Sequence, residues 1–402
     1  MIVAGVMSGT SADGINVALV RIGGTPQPAV SRGKRRRTVA ATGHRAALSH
    51  IELLAHEEFP FPAPVRRTIL SMMNAESASV ADLARLNFLL GELYADAVAK
   101  TARKYRVKKI DLVGCHGQTL YHQGEAATFL GRRVAVTWQT GEGAVLAASL
   151  RVPVVCDFRP ADMAAGGKGA PLVPLFDYLF YRNLRVGRIA QNIGGIANLT
   201  AIPANASLHD VIAFDTGPGN MVIDEVMQQL YDRRYDRDGK VAAKGRILEP
   251  VIEKSLRADF FRQRPPRTAG REEFGREYVR RFLRMCGSAR KADVVATATA
   301  LTARSICDAI ARFVTRGRHR YREMIVSGGG VKNRTLMAML HDGLTPMGIV
   351  MRQSDEFGVP SEAKEAMAFA ALAFETWQKR PSNVPSATGA KRPAILGKIS
   401  YV

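Results

Sequence analysis

The chain has 402 residues, 47% of them hydrophobic and 23% charged, ordinary globular values that exclude wholesale disorder and leave length for two domains with cores of their own. Its net charge of +21 raises a nucleic-acid partner or an anionic small substrate. The basic residues gather at 34–37 and 316–322 with no zinc-finger, RNA-recognition or basic-zipper pattern, so the expectation is a solvated arginine-rich surface and no nucleic-acid partner.

Met1 leads straight into an apolar run with no basic n-region or cleavage site, and no apolar run reaches spanning length. Cys115, Cys156, Cys286 and Cys307 show no paired spacing, and the eight histidines no metal-ligand spacing. The expectation is a cytoplasmic protein with free thiols and no membrane contact.

Residues 2–7 and 15–22 are apolar runs rich in β-formers, predicted as two strands. The loop between them carries two glycines, three hydroxyl residues and a carboxylate. Its backbone N–H groups could face an anion, and Asp13 could hold a metal beside a phosphate. Residues 23–37 read as a basic loop tip. Ser79, with Asp82 three residues on, starts a helix whose stripe runs Val80, Leu83, Leu86, Leu90, Leu93, Ala97, Val98. A strand at 109–114 ends in Cys115-His116-Gly117-Gln118-Thr119, polar residues where α/β sheets keep their sites. His116 could act there as a general base or as a hydrogen-bonded structural histidine.

Further strands are predicted at 134–137 and 152–158, with a helix at 143–150 between them. Asp162 follows on a glycine-rich loop and is the best general-base candidate in the chain, a helix cap or turn aspartate being the plain alternative. A helix at 172–183 leads to a second strand, glycine turn, strand unit at 188–201, a weak echo of the opening that suggests two similar halves. Two more glycine loops, 215–220 and 327–333, each follow a short apolar run and precede a helical pattern, an arrangement suited to phosphate or nucleotide. Helices at 274–286, 296–313 and 361–379 and an irregular tail at 381–391 complete the chain.

No G-x-x-x-x-G-K-[ST] is present, the first loop fails the dinucleotide spacing, and the single Asp215-Thr216-Gly217 lacks the second half of an aspartic-protease dyad. ATP held by several glycine loops, with Asp162 near the acceptor, leaves phosphoryl transfer as the natural reaction.

Residues 6–14, 116–119, 162–171, 192–198, 214–220 and 327–333 together closely resemble the anhydro-N-acetylmuramic acid kinase family of the actin/hexokinase/Hsp70-like ATPase superfamily. The resemblance implies an α/β fold of two duplicated actin-like ATPase (ribonuclease H-like) domains flanking an ATP cleft, residues 1–180 plus 378–402 and residues 181–377. It implies ATP and Mg2+, and as substrate 1,6-anhydro-N-acetylmuramic acid from peptidoglycan turnover, phosphorylated to N-acetylmuramic acid 6-phosphate. Asp162 takes the general-base position, activating a water. Gly9, Thr10, Ser11, Ala12, Asp13, Gly14, Ile15 and Asn16 match the first phosphate loop; Asp215, Gly217, Gly219 and Asn220 the second; Gly328, Gly329, Gly330 and Asn333 the adenosine loop. His116, Gln118 and Asn192 are the sugar-contact candidates, and Asp13 and Asp215 the metal candidates. A homodimer is allowed for. Lys168 stands where glutamine is usual, Trp138 and Glu142 replace leucine and aspartate, and residues 32–37 look like an insert. The Lys168 departure keeps a levoglucosan-type anhydro sugar as the alternative substrate, and fold analogy alone keeps an ATP-driven actin- or Hsp70-like binding protein as the alternative outside enzymes.

Overall fold

The computed structural model describes residues 1–9, 11–23 and 51–402; Thr10 and the basic run at 34–37 lie outside them. The chain divides into two compact units, Met1–Ala164 with Glu365–Ser382 and Ala394–Val402, and Ala165–Lys364 with Asn383–Pro393.

In the first unit β1 (Ile2–Ser8), β2 (Gly14–Ile22) and β3 (Ile51–Pro60) form an antiparallel meander. β4 (Leu112–Phe129) joins β1 in parallel and folds back on β5 (Arg132–Thr140), while β6 (Val154–Cys156) joins β4 in parallel. In the second unit β7 (Gly187–Ile193), β8 (Ile196–Ile202) and β9 (Ile212–Pro218) repeat the meander, with β10 (Tyr321–Ser327) parallel to β7 and β11 (Val350–Gln353) parallel to β10. The second sheet runs β9-β8-β7-β10-β11 and the first β3-β2-β1-β4-β6, the same order once β5, which pairs only with β4, is set aside; the first gains β12 (Lys398–Ser400) beyond β6. This is the duplicated α/β architecture expected from the resemblance.

Two helices cross from β3 to β4. The longer, Val80–Lys104, is capped as expected: Ser79 accepts a hydrogen bond from the Asp82 amide, satisfying one of the open N–H groups of the first turn. Its buried stripe is Leu86, Leu90, Tyr94, Ala97, Val98 and Thr101. Val80, expected on that stripe, is 81% exposed in the first turn. The helix Lys364–Trp377 lies on β1 so closely that a Cβ on Gly5 would sit 1.8 Å from the Ala366 carbonyl oxygen, so only glycine fits there. That contact ties the stretch from Glu365 into the first unit, where the sequence had placed residues up to 377 with the second half.

Several expected bounds move. The strand predicted at 109–114 runs instead from Leu112 to Phe129, because its polar second half pairs with β5 rather than ending at the sheet edge. Strand β3, the helix Ala63–Met72 and strands β11 and β12 had no sequence counterpart. The helix Lys291–Ala309 and the π turn that extends it to Val314 are long and apolar enough to cross a membrane, contrary to the expectation that no stretch is. Within the protein 78% of that apolar window is buried, which accounts for its composition as a core helix. Residues 316–320 are exposed, and all four cysteines are free thiols.

Candidate active site and nucleotide cavity

The loop between β1 and β2 is held from below by Gln118. Ser8 Oγ donates to Gln118 Oε1 at 2.5 Å, and Gln118 Nε2 donates to the Gly9 carbonyl at 3.2 Å. The Gln118 amide, a sugar-contact candidate from the sequence, is thus engaged with the loop. Ser11 and Asp13 are exposed, and Asp13 pairs with Arg66 at 3.0 Å. Ala12 and Ile15 are core residues, Asn16 pairs with His56 at 2.9 Å, and Gly14 backs onto the β3 chain.

Asp162 sits in the helix Phe158–Ala164, directly after β6, and is fully buried. It is therefore not on the glycine-rich loop, which begins at Ala165. Arg159, three residues earlier on the same helix, is enclosed. Burial pulls its guanidinium down to about 10 against the opposing charges of Glu365 and Asp162. Its Nε donates to His116 Nε2 at 3.0 Å, and the other ring nitrogen, Nδ1, lies 2.8 Å from the Gly117 carbonyl. A carbonyl only accepts, so the ring proton is on Nδ1 and Nε2 carries the lone pair that Arg159 uses. Burial first, then the Arg159 charge, holds His116 well below the usual imidazole range. The ring packs 4.6 Å from Phe369. Both nitrogens are engaged within the protein, the arrangement of a hydrogen-bonded structural histidine.

In the second unit Asp215 and Gly217 lie within β9 rather than in a loop. Asp215 Oδ2 accepts from the Ala269 amide at 2.7 Å, and burial pushes its carboxyl up to about 7. Arg267 braces the strand end, donating to the carbonyls of Asp215 at 2.9 Å and Thr216 at 3.3 Å from among the rings of Phe214, Phe260 and Phe313. The helix Asn220–Tyr231 follows. Its N-terminus is not the open anion site expected. The amides of Gly219 and Met221 donate to the Gly195 carbonyl at 2.9 and 3.1 Å, and that of Asn220 to Gly194 at 2.7 Å. The turn between β7 and β8 therefore caps this helix. By its place between the first two strands of its sheet, that turn is the counterpart of the loop at 9–13 in the first unit.

Gly328 has φ +89, and a Cβ there would lie 2.7 Å from both Asn192 Oδ1 and the Ile193 carbonyl. The loop at 328–330 thus rests on the end of β7, with Asn192 beneath it. Asn333 caps the helix Arg334–Leu344 by accepting from the Leu336 amide at 3.0 Å. Asn220, Gly329 and Asn333, called from two separate loops of the sequence, line one cavity of about 540 Å³ together with Asp224, Lys332 and the turn at 235–238.

The sequence model described as anhydro-N-acetylmuramic acid kinase matches residues 1–402. The chain belongs to the anhydro-N-acetylmuramic acid kinase family. This kinase is 41% identical over 405 residues to the anhydro-N-acetylmuramic acid kinase of Caldanaerobacter subterraneus subsp. tengcongensis, covering 99% of this chain and 96% of that one. It is 41% identical over 403 residues to that of Bacillus cereus, covering 100% and 99%. Among solved structures it resembles component A of the (R)-2-hydroxyglutaryl-CoA dehydratase of Acidaminococcus fermentans at a TM-score of 0.43 and 10% identity, over 93% of this chain and 98% of that one.

Among the described residues no three His, Cys, Asp or Glu side chains gather as a metal cage. Mg2+ beside phosphates needs only one or two carboxylates and keeps several waters. Asp215 fits such a site as a buried carboxyl within β9 whose Oδ2 accepts from the Ala269 amide. Asp13 would first have to leave Arg66. Sequence reasoning missed Arg159, Arg267 and Asp224, and read the turn at Gly194-Gly195 as a strand connection without its role in capping the helix from Asn220. Only Asp224 leaves a local trace, an acid on the face of Asn220 within the apolar run Val222, Ile223, Val226, Met227.

Proposed function

We propose that this kinase opens the anhydro bridge of 1,6-anhydro-N-acetylmuramic acid with water and places the γ-phosphoryl group of ATP on the freed O6, giving N-acetylmuramic acid 6-phosphate and ADP. The observation that carries the reading is a fully buried carboxylate, Asp162, braced on its own helix by a charge that His116 holds in place. The acceptor has no free 6-hydroxyl, so a base has nothing to deprotonate there, and its target is water. Asp162 takes one proton as the water oxygen bonds C1. The C1–O6 bond breaks with its electron pair on O6, O6 bonds the γ-phosphorus, and ADP leaves. Enclosure keeps bulk water from competing for the phosphoryl group.

The cavity at Asn220, Gly329 and Asn333 would take the adenosine end of ATP, with the turn at Gly194-Gly195 toward its phosphates. Asp215 would hold Mg2+, which would supply screening of the phosphate charge. The relatives' names speak for the amino sugar and against levoglucosan, despite Lys168. A cytoplasmic place in peptidoglycan recycling goes with that substrate.

Asp162→Asn keeps shape and removes basicity. A loss of at least ~10²-fold in kcat is expected, with sugar binding largely kept. In 18O-labelled water the wild-type product should carry label at C1 and none in the phosphate. Label in the phosphate, or near-normal turnover of the variant, overturns the assignment.

A further inference from the structure

The cavity of about 540 Å³ in the second unit is lined by an acid, Asp224, that nothing yet uses. Of the other acids lining it, Asp236 accepts from the amides of Val241 and Ala242 at 2.9 Å each, and Asp238 pairs with Lys240 at 3.1 Å. Lys332 is turned to Glu362 at 2.8 Å. Asp224, among the described residues, has no hydrogen-bond or ion-pair partner, and burial alone pushes its carboxyl up to about 7. A half-buried carboxylate with unspent acceptors in a cavity wall is costly unless a ligand brings donors.

Its position says which donors. Asp224 stands four residues after Asn220 on one helix, hence on the same face and about one turn, ~5.4 Å, further along. Asn220 touches the Gly194 carbonyl through its amide, so a phosphate at that turn would leave the sugar of the nucleotide opposite Asp224. A vicinal diol matches the two oxygens of a carboxylate.

We propose that Asp224 accepts hydrogen bonds from the 2′ and 3′ hydroxyls of the nucleotide and makes this kinase select ribonucleotides over 2′-deoxyribonucleotides. The proposal rests on the nucleotide reading of the cavity. Calorimetric titration of the full chain with ADP and 2′-deoxy-ADP tests it, in wild type, Asp224→Ala and Gly329→Trp. Gly329 is exposed, and a Cβ there meets only Asn220 Nδ2 at 3.6 Å, so a large side chain is tolerated and fills the cavity. Wild type should bind ADP at least ~10-fold more tightly than 2′-deoxy-ADP, as for a hydroxyl donated to a charged acceptor. In Asp224→Ala the ratio should fall to about 1, and Gly329→Trp should abolish both affinities. If Gly329→Trp binds ADP normally, the nucleotide reading of the cavity falls. If it loses binding while Asp224→Ala keeps the wild-type ratio, the ribose role alone falls. It also falls if Asp224→Ala changes only the preference for ADP over inosine diphosphate, which would assign Asp224 to the base amine.

Discussion

Replacing Asp224 by asparagine should stabilise the ligand-free protein, and only at higher pH. Burial pushes this carboxyl to about 7 from an ordinary value of 3.8, while in the unfolded chain it keeps that ordinary value. Between those two pH values the native state holds a proton that the unfolded state has released. Stability therefore falls as pH rises through this window and is lowest above about 7. At ~1.36 kcal/mol per tenfold change in proton affinity, the full difference corresponds to about 4 kcal/mol. The side chain is only partly enclosed, and asparagine still buries an amide, so a gain of about 1–3 kcal/mol is expected. Urea denaturation of wild type and Asp224→Asn at pH 4 and pH 8, without nucleotide, measures it. The two curves should nearly coincide at pH 4 and separate at pH 8, with the variant the more stable. Equal stabilities at pH 8, or a gap of the same size at both pH values, would refute the reasoning, since either result means no buried carboxylate charge is being relieved.

His116→Gln keeps an acceptor for Arg159 Nε, whereas His116→Leu removes it. Steady-state kinetics should show kcat lowered at least ~10-fold in the leucine variant with a smaller change in sugar KM, and most of the loss recovered by glutamine. Equal kcat in the two variants would mean that His116 only fills space. Gly328→Ala combines a positive φ with a Cβ 2.7 Å from the Ile193 carbonyl. It should cost about 1–3 kcal/mol in a denaturation experiment, and an unchanged midpoint would contradict the geometry.

Much of the first unit was legible in the sequence because its signals are local. The alternation of residues 15–22 gives β2, Ser79 with Asp82 gives the capped start of the long helix, and the repeat of strand, glycine turn, strand at 188–201 marks the duplication that the two sheets share. Asp162 was singled out from the sequence by its place shortly after a buried strand, which needs no knowledge of its partners; its burial came only with the fold.

What surrounds these residues was decided only by the tertiary structure. Cys115 to Thr119 looked like the end of a strand, yet β5 offers them a ladder and the strand runs on. Asp215 looked like a loop residue because aspartate, threonine and glycine favour turns, but pairing with β8 holds it extended. Gly217 and Gly219 looked free to grip phosphate, yet the three amides at 219–221 are spent on the carbonyls of the turn at 194–195. His116 could be a base or a structural residue from its sequence alone. Arg159, 43 residues away, is what occupies its Nε2. Sequence patterns record what a residue's neighbours along the chain require, whereas a lone pair, an amide or a carboxylate is claimed or left available by whichever group folding brings beside it, and no periodicity encodes that meeting.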